Sequence, residues 1–339
     1  MKFDVVIGNQ PYQEETDNNR DSPIYHFFMD EAYKIAEKVS FITPARFLFN
    51  AGQTPKSWNE KMLNDEHLKV EYYEQDSSKI FPNTDIKGGI VVTYRDSGKM
   101  FGAVGTFTHF RELNTTIEKV VVGGFQSLNE ILYGNSSYKL SERIYKDFPQ
   151  FESRVNFAEK SSVGSNIFDR FHEVFFDGKQ NEGQIQIFGR QDSQRIFKWI
   201  NSTYIKNHPN LDKWKVFVPG ANGTGAIGEV LSTPLIGQPL IGYTQTFISF
   251  GAFESRLEAE NLLKYLKTKF SRTMLGTMKI TQNNKTKEVW KNVPIQNFTP
   301  NSDINWSKSI PEIDRQLYAK YELDEKEIAF IEEKVRAME

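Results

Sequence analysis

The chain of 339 residues contains no cysteine, which excludes disulfide bonds and thiolate metal sites and makes a reducing, cytoplasmic setting the expectation. Histidine is scarce as well. The five histidines are scattered without the spacing of a metal site, so we expect no metal. No apolar run approaches the roughly 18 residues of a membrane-spanning helix. The short N-terminal apolar run has polar flanks, unlike a signal peptide, and we expect no membrane partner.

The net charge of −2 hides an uneven distribution along the chain. Residues 190–300 hold 15 basic and 7 acidic side chains, and the rest of the chain holds 27 basic and 37 acidic ones. Such an asymmetry suggests one face built for a polyanion, with a normally solvated basic surface as the alternative. The length allows two domains, or one large domain with an elaboration. A hydrophobic content of 38% with 27 phenylalanines is enough for sizeable cores.

The opening stretch is the first candidate for chemistry. Phe3 to Gly8 is predicted to be a short buried strand, and it ends abruptly in Asn9-Gln-Pro-Tyr12. Ligands of open α/β sheets lie outside the carboxyl ends of the strands. We therefore expect Asn9 to Tyr12 to lie where a substrate binds, with a plain proline-containing turn as the alternative.

The first 95 residues alternate between strand and helix patterns. The predicted elements after the opening strand are a helix at 24–38, a strand at 39–44, a helix at 57–66 and strands at 68–73 and 88–95. This order indicates a βαβ unit that closes with an antiparallel pair. Because the opening strand is apolar on both faces, we expect another segment or another chain to pair with its free edge.

The second half of the chain has a different character. From about residue 185 short strands and turns predominate, followed by a predicted helix at about 254–275 with Arg272 on its outer side. The tail carries two further predicted helices. They start at Ser309 and at Asp324, and each shows the spacing of a capping box.

These patterns together resemble a known enzyme family. Phe3 to Tyr12 is similar to the catalytic motif, N/D/S-P-P-Y/F/W, of amino-group DNA methyltransferases, and the chain resembles the adenine-specific members of Type II restriction–modification systems. Other stretches that resemble the family are 41–48, 79–82, 87–95, 214–219, 265–270 and 310–331. The resemblance thus covers about residues 1–95 and 185–339.

The resemblance implies a fold and a domain order. The fold class would be α/β, with the C-terminal half of a Rossmann-like methyltransferase sheet followed by a mixed α/β target-recognition domain and a helical tail. The implied domains are a partial catalytic domain at 1–115, a connecting region at 116–184, a DNA target-recognition domain at 185–300 and a C-terminal helical tail at 301–339.

The resemblance also implies the chemistry of the motif. Asn9 Oδ1 and the backbone carbonyl of Gln10 would accept hydrogen bonds from the target amine and aim it at the methyl group of S-adenosylmethionine. Pro11 would shape the turn. Tyr12 would stack on an adenine flipped out of the duplex, with Phe81 on the opposite face. Gln10 departs from the family, which usually has proline there.

A second departure concerns the cofactor site. The family binds S-adenosylmethionine largely with residues upstream of the motif, so that Asn9 and Pro11 would be its contacts within this chain. We therefore expect a separate cofactor-binding half, from another chain or from sequence ahead of Met1, or else a homodimer that covers the free edge. The sequence Gly223 to Gly228 spells G-x-G-x-x-G, but Pro234 stops the helix such a loop should open. A flexible turn at the DNA is the favoured interpretation, with a cofactor loop as the alternative.

The recognition region supplies candidate contacts to double-stranded DNA. Phosphate contacts by basic side chains would give salt-dependent affinity and position the duplex without reading its sequence. The candidates are Lys213, Lys215, Arg272, Lys279, Lys285, Lys287 and Lys291.

The leading hypothesis is a site-specific DNA adenine N6-methyltransferase polypeptide. A catalytically inactive, sequence-specific DNA-binding protein derived from such an enzyme is the main alternative. An α/β domain that binds some other planar base or nucleotide is a third.

Overall fold

The computed structural model describes residues 3–14, 22–50, 53–82, 84, 86, 88–223, 227–279 and 282–338. The chain divides into two compact units, Met1–Asn114 and Thr115–Glu339. Both units contain strands and helices, so the mixed α/β character expected from the sequence is confirmed. Within the described residues, no helix combines the length and the apolar character needed to cross a bilayer.

The N-terminal unit is built on a mixed sheet. Its elements are β1 Phe3–Gly8, β2 Gln13–Glu14, β3 Ser22–Pro23, α1 Tyr25–Ile35, β4 Ala36–Pro44, α2 Lys56–Leu63, β5 Leu68–Glu74 and β6 Ile90–Asp96, with 3₁₀ turns at Ala45–Phe49 and Ser77–Lys79. β1 pairs with β4 in parallel, and β6 is antiparallel to both β4 and β5, which gives the order β1–β4–β6–β5. Apart from the small β2–β3 pair, the succession of elements is as predicted.

The core of this unit explains why α1 and α2 form. Met29 and Ala32 lie three residues apart on α1 and are buried in the same cluster as Val39 and Phe41 of β4. Met62 of α2 belongs to this cluster as well. Burial of an apolar face, rather than helix propensity alone, therefore stabilises these helices.

β1 lies at the edge of the sheet that the described residues form, and the predicted burial of this strand is wrong for them. Successive side chains of a strand point to opposite faces, and Val6 packs against the core while Phe3, Val5 and Ile7 are exposed by 46%, 54% and 76%. Among the described residues, β4 is the strand that pairs with β1. The pairing of the free edge with a further segment stays a prediction.

The C-terminal unit contains two larger sheets and several helices among its described residues. The strands are β7 Leu132–Tyr133, β8 Gln184–Gln191, β9 Gln194–Asn201, β10 Trp214–Pro219, β11 Leu235–Gly237, β12 Ile241–Tyr243 and β13 Phe247–Phe253. They pair in the orders β11–β10–β13–β7 and β12–β8–β9. The helices are α3 Arg111–Val120, which begins before the unit boundary, α4 Arg143–Asp147, α5 Ile167–Arg170, α6 Arg256–Lys267, α7 Lys269–Gly276, α8 Ile310–Lys320 and α9 Glu325–Lys334. Further 3₁₀ turns are Leu128–Ile131, Pro149–Arg154, His172–Val174, Ser202–Tyr204 and Lys287–Trp290.

The predicted single helix at 254–275 is wrong, because the structure has α6 and α7 with a break at Thr268. Thr268 is extended and its hydroxyl accepts from the amide of Ser271 at 3.1 Å, so the side chain caps a new helix. Asp314 of α8 accepts from the amides of Lys269 and Phe270 at 3.0 and 2.9 Å. These contacts supply the partners that the first amides of α7 need.

The tail helices begin as predicted. Capping boxes are present at Ser309 with Glu312 for α8 and at Asp324 with Glu327 for α9. Each pair satisfies amides that would otherwise lack partners at a helix start. The local signal in the sequence was sufficient here.

Lys215 is a residue of β10, and its side chain is fully buried in the core. Its ammonium group donates to the carbonyl oxygens of Leu211, Gln238 and Ile241 at 3.2, 3.3 and 3.0 Å. Burial lowers the pKa of Lys215 to about 7, against a smaller opposing effect of Asp212. The side chain of Lys215 therefore links β10 to Leu211 and to the segment from Gln238 to Ile241, and it does not face solvent.

We predict that Lys215→Met abolishes a distinctive pH dependence of stability. A folded-state pKa below the unfolded value means that the unfolded chain binds more protons between about pH 7 and pH 10, so the free energy of unfolding rises with pH across that window. The contribution of Lys215 is roughly 1 kcal/mol per pH unit. Urea unfolding at pH 7, 8 and 9 measures it.

The matched control is Lys213→Met, because Lys213 pairs with Glu254 at 2.7 Å, which raises the pKa of Lys213. This control should keep the slope of the wild-type chain. An unchanged slope in Lys215→Met would contradict the assignment.

Candidate active site

A cavity of about 880 Å³ lies in the N-terminal unit, where the carboxyl ends of β1 and β4 meet. It is the place at which α/β sheets commonly bind ligands. The described lining residues are Asn9, Gln10, Pro11, Tyr12, Gln13, Pro23, Tyr25, Pro44, Arg46, Gln53, Thr54, Phe81, Thr84 and Ile86. The structure thus brings the whole Asn9–Tyr12 motif and Phe81 to one cavity.

Asn9 and Tyr12 are joined directly. The Tyr12 hydroxyl donates to Asn9 Oδ1 at 2.6 Å. Burial raises the pKa of Tyr12, so its hydroxyl stays protonated and keeps its donor role. The carbonyl-type oxygen of Asn9 has two lone pairs, and one remains for a second donor. The contact therefore orients an acceptor without using it up.

Local structure fixes the position of Tyr12. The amide of Ile24 donates to the Tyr12 carbonyl at 3.0 Å, and β2 pairs with β3 through Gln13 opposite Pro23. The Tyr12 ring packs against the core cluster of the unit. The polar loop between β2 and β3 falls at residues 15–21, outside the described part of the chain.

Phe81 is positioned by a loop that Ser77 organises. The buried Ser77 hydroxyl donates to the Thr84 carbonyl at 2.9 Å and accepts from the Ile86 amide at 2.8 Å. The Ser77 carbonyl accepts from the amide of Phe81 at 2.9 Å. A serine with no chemistry of its own therefore places the aromatic ring at the cavity, and no pattern in the sequence marked it.

Gln10 stands where the resembled motif usually has proline. Its side-chain oxygen and nitrogen are both buried and have no hydrogen-bond partner among the residues that the structure describes. Leaving such groups unpaired costs about 1–3 kcal/mol. The side chain of Gln10 therefore destabilises the turn that its backbone builds.

Three of the sequence-predicted DNA contacts lie inside the C-terminal unit, and this corrects their assignment. Besides Lys215, the buried Arg272 donates to the carbonyls of Lys267 and Glu229, and the buried Lys279 donates to the carbonyl of Asn222 at 2.8 Å. Their charges are held by internal carbonyls, so a phosphate cannot reach them in this conformation. The prediction that Arg272 lies on the outer side assumes one continuous helix, and the break at Thr268 between α6 and α7 removes that assumption.

The other four candidates remain available on the surface or near it. Lys287 and Lys291 are exposed, Lys285 is half-buried, and Lys213 pairs with Glu254. Lys291 lies 3.7 Å from Glu288. Contacts of these lysines with DNA stay a prediction.

The described residues offer no metal site, and the structure describes only part of the G-x-G-x-x-G stretch. Among the described residues, no group of three or more histidine, aspartate or glutamate side chains could hold a metal ion. In the G-x-G-x-x-G stretch, Thr224 to Ala226 lie outside the described residues. Gly228 approaches the C-terminal segment so closely that an added Cβ would lie 2.2 Å from the Lys334 carbonyl oxygen.

Two of the cavity residues that had no predicted role carry an ionisable side chain. Arg46 follows the carboxyl end of β4, and Tyr25 opens α1. Burial raises the pKa of Tyr25 to about 12, while a hydrogen bond with Thr54 and the charge of Arg46 act in the opposite direction. A basic residue directly after the second parallel strand was the available signal for Arg46.

Comparison with known proteins identifies relatives of the N-terminal segment. Residues 1–81 match the family described as Eco57I restriction-modification methylase. An uncharacterized adenine-specific methylase of Mycoplasma pneumoniae is 34% identical over 95 residues, which is 26% of this chain and 22% of that protein. The chain thus spans about a fifth of the length of this curated relative.

Two solved structures show a weak overall likeness at 10% identity. The type IIG restriction endonuclease BpuSI has a TM-score of 0.29, covering 93% of this chain and 48% of that one. The type IIL restriction-modification enzyme MmeI, in complex with DNA, has a TM-score of 0.33 with coverages of 97% and 56%. The predicted resemblance to adenine-specific restriction–modification methylases is confirmed by the family match over residues 1–81 and by the Mycoplasma pneumoniae relative.

Proposed function

We propose that this chain is a polypeptide of a site-specific DNA adenine N6-methyltransferase. The observation that carries the proposal is the Tyr12–Asn9 hydrogen bond at the carboxyl end of β1, inside a cavity that Phe81 also lines. The family match over residues 1–81 supports the reaction class.

The target amine of adenine is a weak nucleophile because its lone pair is delocalised into the ring. Asn9 Oδ1 and the carbonyl of Gln10 would each accept one of its hydrogens and direct the lone pair toward the methyl group. The transfer depends on orientation more than on acid–base chemistry. A site with an amide, a proline turn and aromatic rings suits that requirement.

The rings would hold the base. An adenine amine cannot be reached inside the duplex, so the nucleotide must be extruded into the cavity. Tyr12 would stack on one face of the adenine and Phe81 on the other, each worth roughly 1–3 kcal/mol. The hydroxyl of Tyr12 ties this stacking to the position of Asn9.

S-adenosylmethionine supplies a methyl group on a sulfonium ion when it is bound. Asn9 and Pro11, which line the cavity, would contact this end of the cofactor. The described lining residues include no carboxylate, the group that commonly holds the ribose hydroxyls. The lining therefore fits the methyl-bearing end of the cofactor and not its ribose.

A cofactor-binding half that pairs with β1 would complete both the site and the sheet. Strands in parallel sheets are normally covered on both faces, whereas Phe3, Val5 and Ile7 form an exposed apolar row beside a free edge. We propose that a cofactor-binding half, supplied by another chain or by sequence ahead of Met1, extends the sheet at β1 and covers this row. A second copy of the chain is the alternative occupant.

The C-terminal unit would recognise double-stranded DNA. Lys213, Lys285, Lys287 and Lys291 are the candidate phosphate contacts, and the recognition region would occupy about residues 185–300. Affinity should fall with salt as these contacts release counterions. Salt-dependent DNA binding without any methyl transfer would favour the alternative of an inactive DNA-binding protein.

Asn9→Ala should lower adenine methylation by roughly a hundredfold or more, as the loss of one preorganised polar group in an active site typically does. DNA affinity should stay within a few fold, because the phosphate contacts are elsewhere. The gene is expressed with its genomic neighbours in a host without adenine methylation, and N6-methyladenine is quantified by mass spectrometry.

Tyr12→Phe is the matched variant for this test. It keeps the ring and removes only the hydroxyl, so its loss of methylation should be smaller. Equal methylation by Asn9→Ala and the wild-type chain would refute the catalytic assignment.

Gln10→Met should retain methylation, because the proposed acceptor at this position is the backbone carbonyl. It should also raise the free energy of unfolding by about 1 kcal/mol, since it replaces an unpaired buried amide by an apolar side chain of similar shape. Urea unfolding and the same methylation assay measure the two effects. A correctly folded Gln10→Met chain without activity would assign the amide itself to the reaction.

Ile7→Lys should abolish methylation without changing thermal stability, because Ile7 is 76% exposed in the chain but would be covered by the cofactor-binding half. Phe157→Lys, at a residue 95% exposed in the C-terminal unit, is the control and should methylate normally. Wild-type activity in Ile7→Lys would refute the proposed pairing. A wild-type dimer that Ile7→Lys dissociates in sedimentation would show that a second copy covers the row instead.

A further inference from the structure

The cavity of the N-terminal unit has one charged residue among its described lining residues, Arg46. The rest of the lining is polar or apolar and uncharged, and it includes the rings of Tyr12 and Phe81. A base alone needs stacking surfaces and hydrogen bonds, not a full positive charge. The combination of aromatic rings and one guanidinium suits a nucleotide, which carries a base and a phosphate.

The fold places Arg46 beside the motif. β1 and β4 are parallel with Gly8 opposite Phe41, so the residues that follow the two strands lie at the same end of the sheet, the carboxyl end of both strands. Gly8 keeps the strands close at this end, since an added Cβ would lie 3.3 Å from the Phe41 ring. Arg46, in the turn that follows β4, therefore lies at the same carboxyl end of the strands as Asn9, which follows β1.

The backbone around Arg46 is held firmly. It lies in the 3₁₀ turn Ala45–Phe49, in which Ala45, Phe47 and Leu48 are buried. The amide of Ala45 donates to the Gly89 carbonyl at 2.9 Å. Buried neighbours on both sides leave Arg46 as the side chain of this turn that can reach the cavity.

A glycine turn supports the stem of Arg46. Gly88 has a φ of +88°, and an added Cβ there would lie 2.8 Å from Arg46 Cγ. Both the positive φ and the close approach require glycine. The Arg46 stem thus packs against a backbone shaped to receive it, which restricts where its guanidinium can go.

We propose that Arg46 binds a DNA backbone phosphate of the nucleotide whose adenine enters the cavity. This inference rests on the proposed function and adds the residue that would hold the extruded nucleotide by its phosphodiester. A guanidinium forms two parallel hydrogen bonds with phosphate oxygens, which fixes orientation as well as adding affinity. Arg46 would act as a positioning residue, with Asn9 contacting the amine.

The test compares two trinucleotides, d(TpApT) and its uncharged methylphosphonate analogue, in a fluorescence polarization assay with the full chain. The wild-type chain should bind the phosphodiester about tenfold more tightly, as expected for a charge-assisted hydrogen-bonded contact. Arg46→Gln should bind both trinucleotides equally, at the affinity that the wild-type chain has for the analogue. Arg46→Lys keeps the charge without the fork and should show an intermediate difference.

Lys99→Gln is the charge-matched control, because Lys99 follows the carboxyl end of β6, which is antiparallel to β4 and so lies at the other end of the strands from Arg46. It should preserve the tenfold difference. Gly88→Ala provides a second route, since it displaces the Arg46 stem without removing the charge, and it should reduce the difference as well. Thermal unfolding of each variant identifies any loss of fold.

A full phosphodiester preference in a folded Arg46→Gln chain would overturn the inference while leaving adenine binding intact. Tighter binding of free dAMP than of the trinucleotide would assign the site to a mononucleotide and overturn the DNA phosphate. If the wild-type chain does not distinguish d(TpApT) from a trinucleotide with an abasic central position, the proposed function itself fails, and the inference with it.

Discussion

The site depends on the hydrogen bond from the Tyr12 hydroxyl to Asn9 Oδ1. It links the residue that would stack on a base to the residue that would accept from its amine. The bond requires that the chain turn sharply after β1, which the β2–β3 pair and the Ile24–Tyr12 backbone contact enforce. Half-burial of Tyr12 keeps its hydroxyl protonated, so the link persists over the ordinary range of pH.

Two neighbouring segments bring further side chains to the cavity. Ser77 holds the loop that brings Phe81 to the cavity, and the 3₁₀ turn after β4 brings Arg46 to it. The cavity is therefore assembled from the carboxyl ends of neighbouring parallel strands, where backbone geometry alone makes side chains converge. The exposed row of Phe3, Val5 and Ile7 lies on the strand that carries the motif. Covering that row and completing the cofactor site are thus coupled in our account.

Local signals predicted some features well, and non-local packing decided the rest. The strand that ends at Asn9 and the capping boxes of α8 and α9 follow from short-range chemistry. The break at Thr268 does not, because Asp314 from another helix stabilises the new start. The sequence does not predict the burial of Lys215 either, since the three carbonyls that accept its ammonium protons lie outside β10, in the loop at Leu211 and in the segment from Gln238 to Ile241.

In the candidate site, too, local sequence signals predict some residues and non-local packing determines the positions of others. The sequence predicts a role for Asn9 to Tyr12 because the motif consists of four consecutive residues. The prediction for Phe81 rests on the resemblance to family sequences. The Ser77 contacts that position Phe81 are visible only in the structure. The position of Arg46 depends on the Gly88 turn and on the parallel register of β1 and β4. Both are features of the folded chain, so the sequence did not single out Arg46.

In the proposed reaction, the cavity that Tyr12 and Phe81 line receives an adenine. Photo-crosslinking with a trinucleotide that carries 8-azidoadenine, followed by peptide mapping, tests it most directly. We predict that the crosslinks concentrate on Tyr12 and Phe81 and that unmodified d(TpApT) competes them away. Crosslinks spread over the surface, or concentrated outside this cavity, would contradict the account.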